Sequence, residues 1–549
     1  MTTAVVVGSG PGGCAAAETL VDAGWSVTIL DKGRNHLIDL DDPSRLRDDY
    51  SNDEVKYMSR WFLGPDPLVE PRTFRRHDGE GARIHVGEVN SVPSTVGGGG
   101  VHADGKTIRF REIDFRVLSE LGPVQGAAVA DWPVDYAALE PYYCRAERLV
   151  GVAGEAGANP FAAWRSEPFP MPPGVPMYGA VLSSRVAETA GWHPYPAPTA
   201  ANSVPYDGRP ACNNCGFCSH YGCPIHAKGD PVAMLRRALL SGRAELRPDT
   251  FASRIVFRNG KAVGVECVGP DGGEYTLSAD FVVLAAGAIE SPRLLLLSGL
   301  EHPELGRNLM FHFQTFAMGE APVRVHGQKG RSVTHVHDDH LVPDAESLAA
   351  ARAAGLPWFR GGMVEHAGPA HPVLEAKIAP WGAMHKQTMR ESTMRERLWG
   401  FVMQGEDLPQ ATNGVDLDPK VRDVRGFPVA RVTYRPHRHE LVASQYYGSR
   451  LAAALKDGGW AWSFWHTSPN PDGTDLGGHD SPIPTSRHIM GTIRMGTDPA
   501  SSVCDGWGRL HQAPNVLVAD SSPFPTGAGY GPTLTLIALA MRNSEALAA

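Results

Sequence analysis

An α/β fold of two interleaved domains, one of Rossmann type and one of α+β type with a largely antiparallel sheet, is what this sequence predicts on three observations. The first is Ala4 to Gly13, AVVVGSGPGG, where a short apolar run enters Gly8, Gly10 and Gly13 spaced G-x-G-x-x-G, ahead of a helix-compatible run, Cys14 to Ala23. Strand, glycine turn and helix in that order let backbone N–H groups and a helix N-terminus face a pyrophosphate. The second is Ser26 to Leu30, an apolar strand ending in Asp31, where an acid can hold an adenosine ribose hydroxyl. The third is a return at the C-terminus: Asn515 to Asp520, NVLVAD, then Gly531-Pro532-Thr533 opening a helix to about Met541. Such a strand–acid–turn–helix unit completes the N-terminal sheet instead of starting a new domain.

The 549 residues exceed one usual domain. A hydrophobic content of 42% with 20% charged residues fits a soluble globular protein. The formal charge of -9, with no dense Lys/Arg run, argues against a nucleic-acid partner. No apolar run approaches the roughly 20 residues that span a bilayer. The first strand starts at residue 4, which leaves no room for a secretory signal, so a cytoplasmic protein is expected.

Taken in order, the residues after Asp31 to about 84 are charged and Pro-containing and read as excursion loops and short helices, Phe62 to Pro67 among them. Ser94 to Lys106, STVGGGGVHADGK, carries four consecutive glycines where backbone must pass close to something flat or anionic. Asp131 to Val150 reads as a helix with Pro near its start, and residues 154 to 210 as loops rich in Pro and Ala. Pro231 to Leu240 is a short helix; strands follow at Arg254 to Phe257, Ala262 to Val268 and Tyr275 to Leu277, with Asn259-Gly260 and Asp271-Gly272-Gly273 as turns. Phe281 to Ala285 is apolar throughout, as a buried parallel strand requires, and passes through Ala286-Gly287-Ala288 into a helix over Ser291 to Ser298.

Residues 311 to 487 carry the least nucleotide-like pattern. Ala345 to Ala354 is helical by propensity, and Gln404 to Tyr434 holds strand-like segments around Pro419 and Gly426-Phe427-Pro428. Gly459 to His466, GWAWSFWH, alternates aromatics at period two, as the packed face of a strand or the lining of a substrate pocket does. His335, His337 and His340 read as a solvated, charged loop in preference to a metal site. Cys14, Cys144, Cys267 and Cys504 stand alone, as small buried hydrophobes do, whereas Cys212, Cys215, Cys218 and Cys223 fall together ahead of Pro224. That spacing is close to a ferredoxin's and also suits zinc; a loop of buried or paired thiols is the third reading.

Five separated blocks resemble the glucose-methanol-choline flavoprotein oxidoreductases: the N-terminal G-x-G-x-x-G with Asp31, VGGGGVH at Val96 to His102, GAIESPRLLLLSG at Gly287 to Gly299, HIMGTIRMG at His488 to Gly496, and VADSSPFPT continuing to GPTLTLIALA. The resemblance implies FAD. Gly8, Gly10 and Gly13 would cradle its pyrophosphate, Asp31 its ribose, Gly99 and Gly100 would pass close to the isoalloxazine, and Asp520 would approach the ribityl and phosphate portion. Pro532 and Thr533 would set a helix N-terminus where negative charge develops on reduction. His102 aligns with a histidine that in some relatives is bonded covalently to the flavin.

His488 is the implied base: it takes the proton of a substrate hydroxyl while hydride passes to flavin N5, and imidazole suits this because its pKa lies near working pH. The family usually carries a second His or Asn before the last helix. Here Gly531 stands at that place, so Tyr530, His466 or a water would hold the alkoxide. Some membrane-linked relatives carry an iron–sulfur cluster in the cysteine region, which would favour an electron-acceptor protein over oxygen. The expected arrangement is an FAD domain of 1–150, 225–310 and 488–549 with a substrate domain of 151–224 and 311–487. The expected activity is oxidation of a small-molecule alcohol, leaning to a sugar, glycoside or polyol. A hydroxynitrile lyase or an electron-transfer flavoprotein on the same scaffold is the alternative.

Overall fold

The computed structural model describes residues 1–47, 49, 68–79, 85–87, 89, 92–218, 222–327, 329–331, 333–368, 381–468 and 486–549. Much of the stretch expected as loops and short helices between 32 and 84, including Phe62 to Pro67, lies outside the described residues. The chain opens on β1 (Thr3–Val7), α1 (Pro11–Asp22) and β2 (Ser26–Leu30). Then come α2 (Tyr136–Val150), α3 (Tyr178–Thr189), α4 (Val232–Leu240), β3 (Ala244–Arg247), β4 (Phe281–Leu284) and α5 (Gly287–Leu297). After β5 (His312–Glu320), β6 (Val364–Ala367), β7 (Leu398–Glu406), α6 (Arg438–Asp457) and β8 (Ser463–Ser468), the chain closes on β9 (Ala513–Val518) and α7 (Thr533–Ala548).

β1 lies inside a six-stranded sheet ordered Arg509–Leu510, β9, β4, β1, β2, β3. Apart from the antiparallel Arg509–Leu510 edge, every pairing in it is parallel. Parallel strands are covered on both faces, which is why β1 and β4 read as unbroken apolar runs: Val6, Val282, Val283 and Leu284 are wholly buried. The Rossmann-type expectation holds, and the sheet draws its strands from both ends and the middle of the chain.

Glycine sets how closely α1 approaches this sheet. A Cβ on Gly12 would stand 1.6 Å from the carbonyl oxygen of Ala519, just beyond β9, and one on Gly13 would stand 1.9 Å from the carbonyl oxygen of Gly8. Gly8 itself has a φ of +103°, in the region that side chains disfavour. The first helix is thus seated with backbone against backbone at the C-terminal edge of the sheet.

A second six-stranded sheet, ordered β8, β5, β7, β6, His335–His337, Tyr195–Pro196, is antiparallel throughout. Side chains alternate across it. Thr315, Phe401 and His366 lie on the face covered by α6 and α3, where the Thr315 and Ser444 hydroxyls are 2.5 Å apart and Ser183 Oγ is 3.1 Å from His366 Nδ1. The other face carries His312, Gln314, Phe316, Gln404 and Glu365. A four-stranded sheet of Gly414–Arg422, Pro428–Thr433, Arg72–Arg75 and His85–Gly87 joins an early segment to a late one.

Two local expectations are corrected. His335, His337 and His340 do not form a solvated loop: His335–His337 is a strand, His337 and His340 are buried, and His337 Nδ1 is 3.0 Å from His366 Nε2. Burial, ahead of the neighbouring imidazoles, holds His337 well below the usual histidine range. The charged neighbours misled because Asp338 is itself buried, accepting from Tyr195 and Tyr530, while Asp339 binds His193. Residues 154–210 are not all loop either, since they contain α3. Among the described residues no helix is long and apolar enough to cross a membrane.

Replacing Gly12 by Ala should lower stability by at least roughly 1–3 kcal/mol, because the atom it would meet is backbone and cannot rotate away. Thermal denaturation of the purified variant checks this, and an unchanged Tm contradicts the close packing.

Candidate active site

Two glycine turns meet at the C-terminal edge of the parallel sheet. Gly97 N–H donates to Ser9 Oγ at 3.0 Å, and a Cβ on Gly98 would lie 3.1 Å from Gly10 Cα. Gly100 is seated against Pro231 and Pro11, where a Cβ would come within 2.5 and 3.2 Å. Gly10 and Gly99 differ from these: a Cβ on either would have nothing within 4 Å, so both open onto space between the turns. α1 and α7 begin at Gly10 and Pro532 without a side-chain cap, and their first N–H groups are left for another acceptor. Such a cradle, bare of side chains and edged by helix N-termini, fits the pyrophosphate of a dinucleotide. His102 follows the glycine run and is buried. Thr533 is the first residue of α7.

The two acids are oriented by the protein itself. Asp31 accepts from Ser9 N–H at 3.0 Å, Ser9 Oγ at 2.5 Å and Gly33 N–H at 2.8 Å. Asp520 accepts from Gly287 N–H at 2.8 Å, Ser291 Oγ at 2.5 Å and Ser522 N–H at 2.8 Å. Burial raises the pKa of both carboxyls, and these donors pull against it. Each acid therefore braces a turn of the cradle, Asp31 at the first and Asp520 at the junction of β4 with α5, where Gly287 adopts a φ of +85°.

His488 sits beside this cradle in an irregular segment. Its Nδ1 is 2.8 Å from Nδ1 of His312, the first residue of β5, with the two rings at 83°. His312 Nε2 lies 3.0 Å from the Ala528 carbonyl oxygen and 3.4 Å from that of Gly527. Burial, more than the adjacent His312 and Lys106, holds His488 well below the usual histidine range; burial likewise takes His312 down to about 4. Gly531 lies alongside, so that a Cβ there would be 3.5 Å from His488 Nε2.

Both residues expected to stand in for the missing second histidine have partners of their own in the structure. Tyr530 is buried; its hydroxyl donates to Asp338 Oδ2 at 2.7 Å and accepts from Arg111 Nε at 2.9 Å. His466 lies on β8 opposite Phe316, stacked on it with centroids 4.9 Å apart and planes 9° from parallel. The ring beside His488 is that of His312, which the sequence reading missed. Its one local signal is its place at the end of an apolar run, Leu309-Met310-Phe311, and the pairing spans 176 positions.

From His312 a row of polar side chains runs across the same sheet face. Gln314 Nε2 donates to Gln404 Oε1 at 3.1 Å, Gln404 Nε2 donates to Glu365 Oε1 at 2.9 Å, and Lys106 Nζ donates to Glu365 and, at 3.3 Å, to Asp104. Beside the row stand stacked rings: Phe316 on His466, then Phe464 at 6.0 Å and Trp462 at 5.9 Å beyond, the last two 46% and 40% exposed. The face thus passes from hydrogen-bonding groups near His488 to half-exposed aromatic plates.

Cys212, Cys215, Cys218 and Cys223 are half-buried next to the glycine run: Lys228 Nζ donates to the carbonyl oxygens of Ala103 at 2.9 Å and Cys218 at 3.3 Å. Burial pushes the Cys218 thiol up to about 12. Among the described residues no group of three or more His, Cys, Asp or Glu converges on a metal position.

The sequence matches the GMC oxidoreductase family over residues 197–314 and 409–540, and the NAD(P)-binding Rossmann-like domain over 6–75. It is 30% identical to a paromamine 6'-oxidase of Streptomyces fradiae, over 99% of this chain and 91% of that one. It is 28% identical to a gluconate 2-dehydrogenase flavoprotein of Pantoea cypripedii, over 99% and 93%. Among solved structures, a pyridoxine 4-oxidase from Mesorbium loti superimposes with a TM-score of 0.62 at 18% identity, over 100% of this chain and 99% of that one, which shows the fold. With matched segments at both the middle and the end of the chain and relatives aligned along nearly all of it, this protein belongs to the GMC oxidoreductases and is an FAD-dependent enzyme of alcohol oxidation.

Proposed function

We propose that the alcohol is polyhydroxylated, a sugar, glycoside or polyol, and that His488 is the base that takes the proton of its reacting hydroxyl. The observation that carries the substrate class is the row Gln314, Gln404, Glu365 and Lys106 on the sheet face that begins at His312. Amides, a carboxylate and an ammonium supply both donors and acceptors, the recognition that several hydroxyls need. The stacked Phe316, His466 and Phe464 offer flat apolar area for the C–H face of a ring.

Bound in the cradle, FAD supplies the acceptor for the hydride that leaves the alcohol carbon. Gly8, Gly10 and Gly13 would hold its pyrophosphate, Gly99 would keep a side chain away from its ring system while Gly98 and Gly100 pack the second turn against Gly10, Pro11 and Pro231, and Pro532 and Thr533 would present a helix N-terminus to the ring. Asp31 would hold the adenosine ribose and Asp520 would approach the ribityl and phosphate portion, each from the turn it braces. His488, whose charged form burial disfavours, offers a lone pair for the hydroxyl proton. The cofactor part comprises 1–150, 225–310 and 488–549, and the substrate part 151–224 and 311–487. An electron-acceptor protein takes the electrons onward, a reading supported by the likeness to the gluconate 2-dehydrogenase flavoprotein.

Gly10→Ala should fold normally, its φ of -65° being open to any residue, yet bind FAD about tenfold more weakly, since its methyl enters the cradle. Flavin content at matched FAD concentrations measures this; full retention contradicts the assignment. His488→Ala should keep its flavin and lose at least about 100-fold in the rate of anaerobic flavin bleaching by a panel of glycerol, D-sorbitol, D-glucose and 1-butanol. Undiminished bleaching removes His488 from the mechanism, and a preference for 1-butanol removes the polyol reading. In Gln404→Leu, KM for the best polyol should rise about tenfold with kcat less affected. Reduced enzyme reoxidised by air as fast as by an artificial one-electron acceptor would count against a protein acceptor.

A further inference from the structure

We propose that His312 is a positioning residue that decides which nitrogen of His488 carries the hydrogen, and so leaves the lone pair on His488 Nε2 for the alcohol. The inference rests on His488 being the base. It starts at the far end of the pair, where His312 Nε2 lies 3.0 Å from the carbonyl oxygen of Ala528 and 3.4 Å from that of Gly527. A carbonyl oxygen only accepts, so Nε2 of His312 carries a hydrogen. A neutral imidazole has one such hydrogen, which leaves Nδ1 of His312 bare. Two nitrogens 2.8 Å apart need one hydrogen between them, and it must come from His488 Nδ1. His488 is then left with an unprotonated Nε2.

The surroundings agree with this direction. His312 is wholly buried, and burial takes it down to about 4, so it is neutral at working pH. Ala528 holds a φ of +53°, a conformation that L side chains rarely adopt, in the loop that presents both carbonyls to His312. On the other side of His488, Gly531 provides no side chain, and a Cβ there would stand 3.5 Å from Nε2. Lys106 and Asp104 also act on His488 electrostatically, with opposite signs. When His488 takes the hydroxyl proton at Nε2, its Nδ1–H bond to His312 becomes charge-assisted and stabilises the imidazolium. The pair ends on backbone oxygens that do not accept a proton at working pH, so the proton stays within it.

The test uses the holoenzyme labelled with nitrogen-15 at histidine only, with the His488 signals identified by their loss in His488→Ala. Expected is a protonated Nδ1 and an unprotonated Nε2 on His488 in the absence of substrate; the reverse overturns the proposal. His312→Leu and His312→Asn are of similar size, but only Asn places an acceptor oxygen where Nδ1 stands. Flavin reduction by the fastest alcohol of the panel, followed against pH, should slow roughly 10–100-fold in His312→Leu with its acid limb moved to lower pH. His312→Asn should recover most of the rate and the wild-type profile. Equal loss in both variants, or a His312→Leu rate within twofold of wild type while His488→Ala is inactive, refutes the role of His312 and leaves the base intact. Full activity in His488→Ala refutes the base itself.

Discussion

Backbone packed on backbone, with no side chain between, holds this protein's two ends together. Gly12 lies against the Ala519 carbonyl and Gly13 against that of Gly8, while Gly98 of the second glycine turn lies against Gly10. These contacts fix the distance from α1 to the end of β9, and the cradle for the dinucleotide is the gap that remains. The site depends on residues that cannot yield, since a carbonyl or an α-carbon has no alternative rotamer.

Around that constraint the acids act as braces. Asp31 and Asp520 stand where ligand-binding acids were expected, and their oxygens reach Ser9, Gly33, Gly287, Ser291 and Ser522. A buried carboxylate with several donors is stiff, and it carries that stiffness to the turns that border the cradle. Tyr530 plays a comparable part through Arg111 and Asp338, anchoring the residue next to Gly531 to the second sheet's side of the molecule. His488 is thereby flanked by elements from three distant stretches of chain.

What could be read in advance is what local pattern encodes. The strand, turn and helix at the N-terminus, the apolar β4 running into α5, and the C-terminal β9 and α7 are each stated by runs of a few residues, and each is present. The glycine blocks and His488 were legible because a motif carries them. His312 was not, because its role exists only through a partner 176 residues away. The burial of His337 was hidden by acidic neighbours that turn out to be buried or paired, and α3 by a composition rich in Ala and Pro. Gly12, unremarkable inside the motif, makes the closest contact of the turn, and only the position of Ala519 reveals it.

The bare backbone at Gly531 has a stereochemical consequence. Where a side chain would form a wall against His488 Nε2, this protein leaves clearance, so the carbon bearing the hydroxyl can carry two further carbons as readily as one. Secondary carbinols are then sterically admitted alongside primary ones. On the proposed reading, the choice among the hydroxyls of one molecule falls to the groups farther along the sheet, Gln314, Gln404 and Glu365, which would act as a ruler measured from the imidazole. Regioselectivity in this enzyme would be a property of distance along a strand, with the imidazole end left permissive.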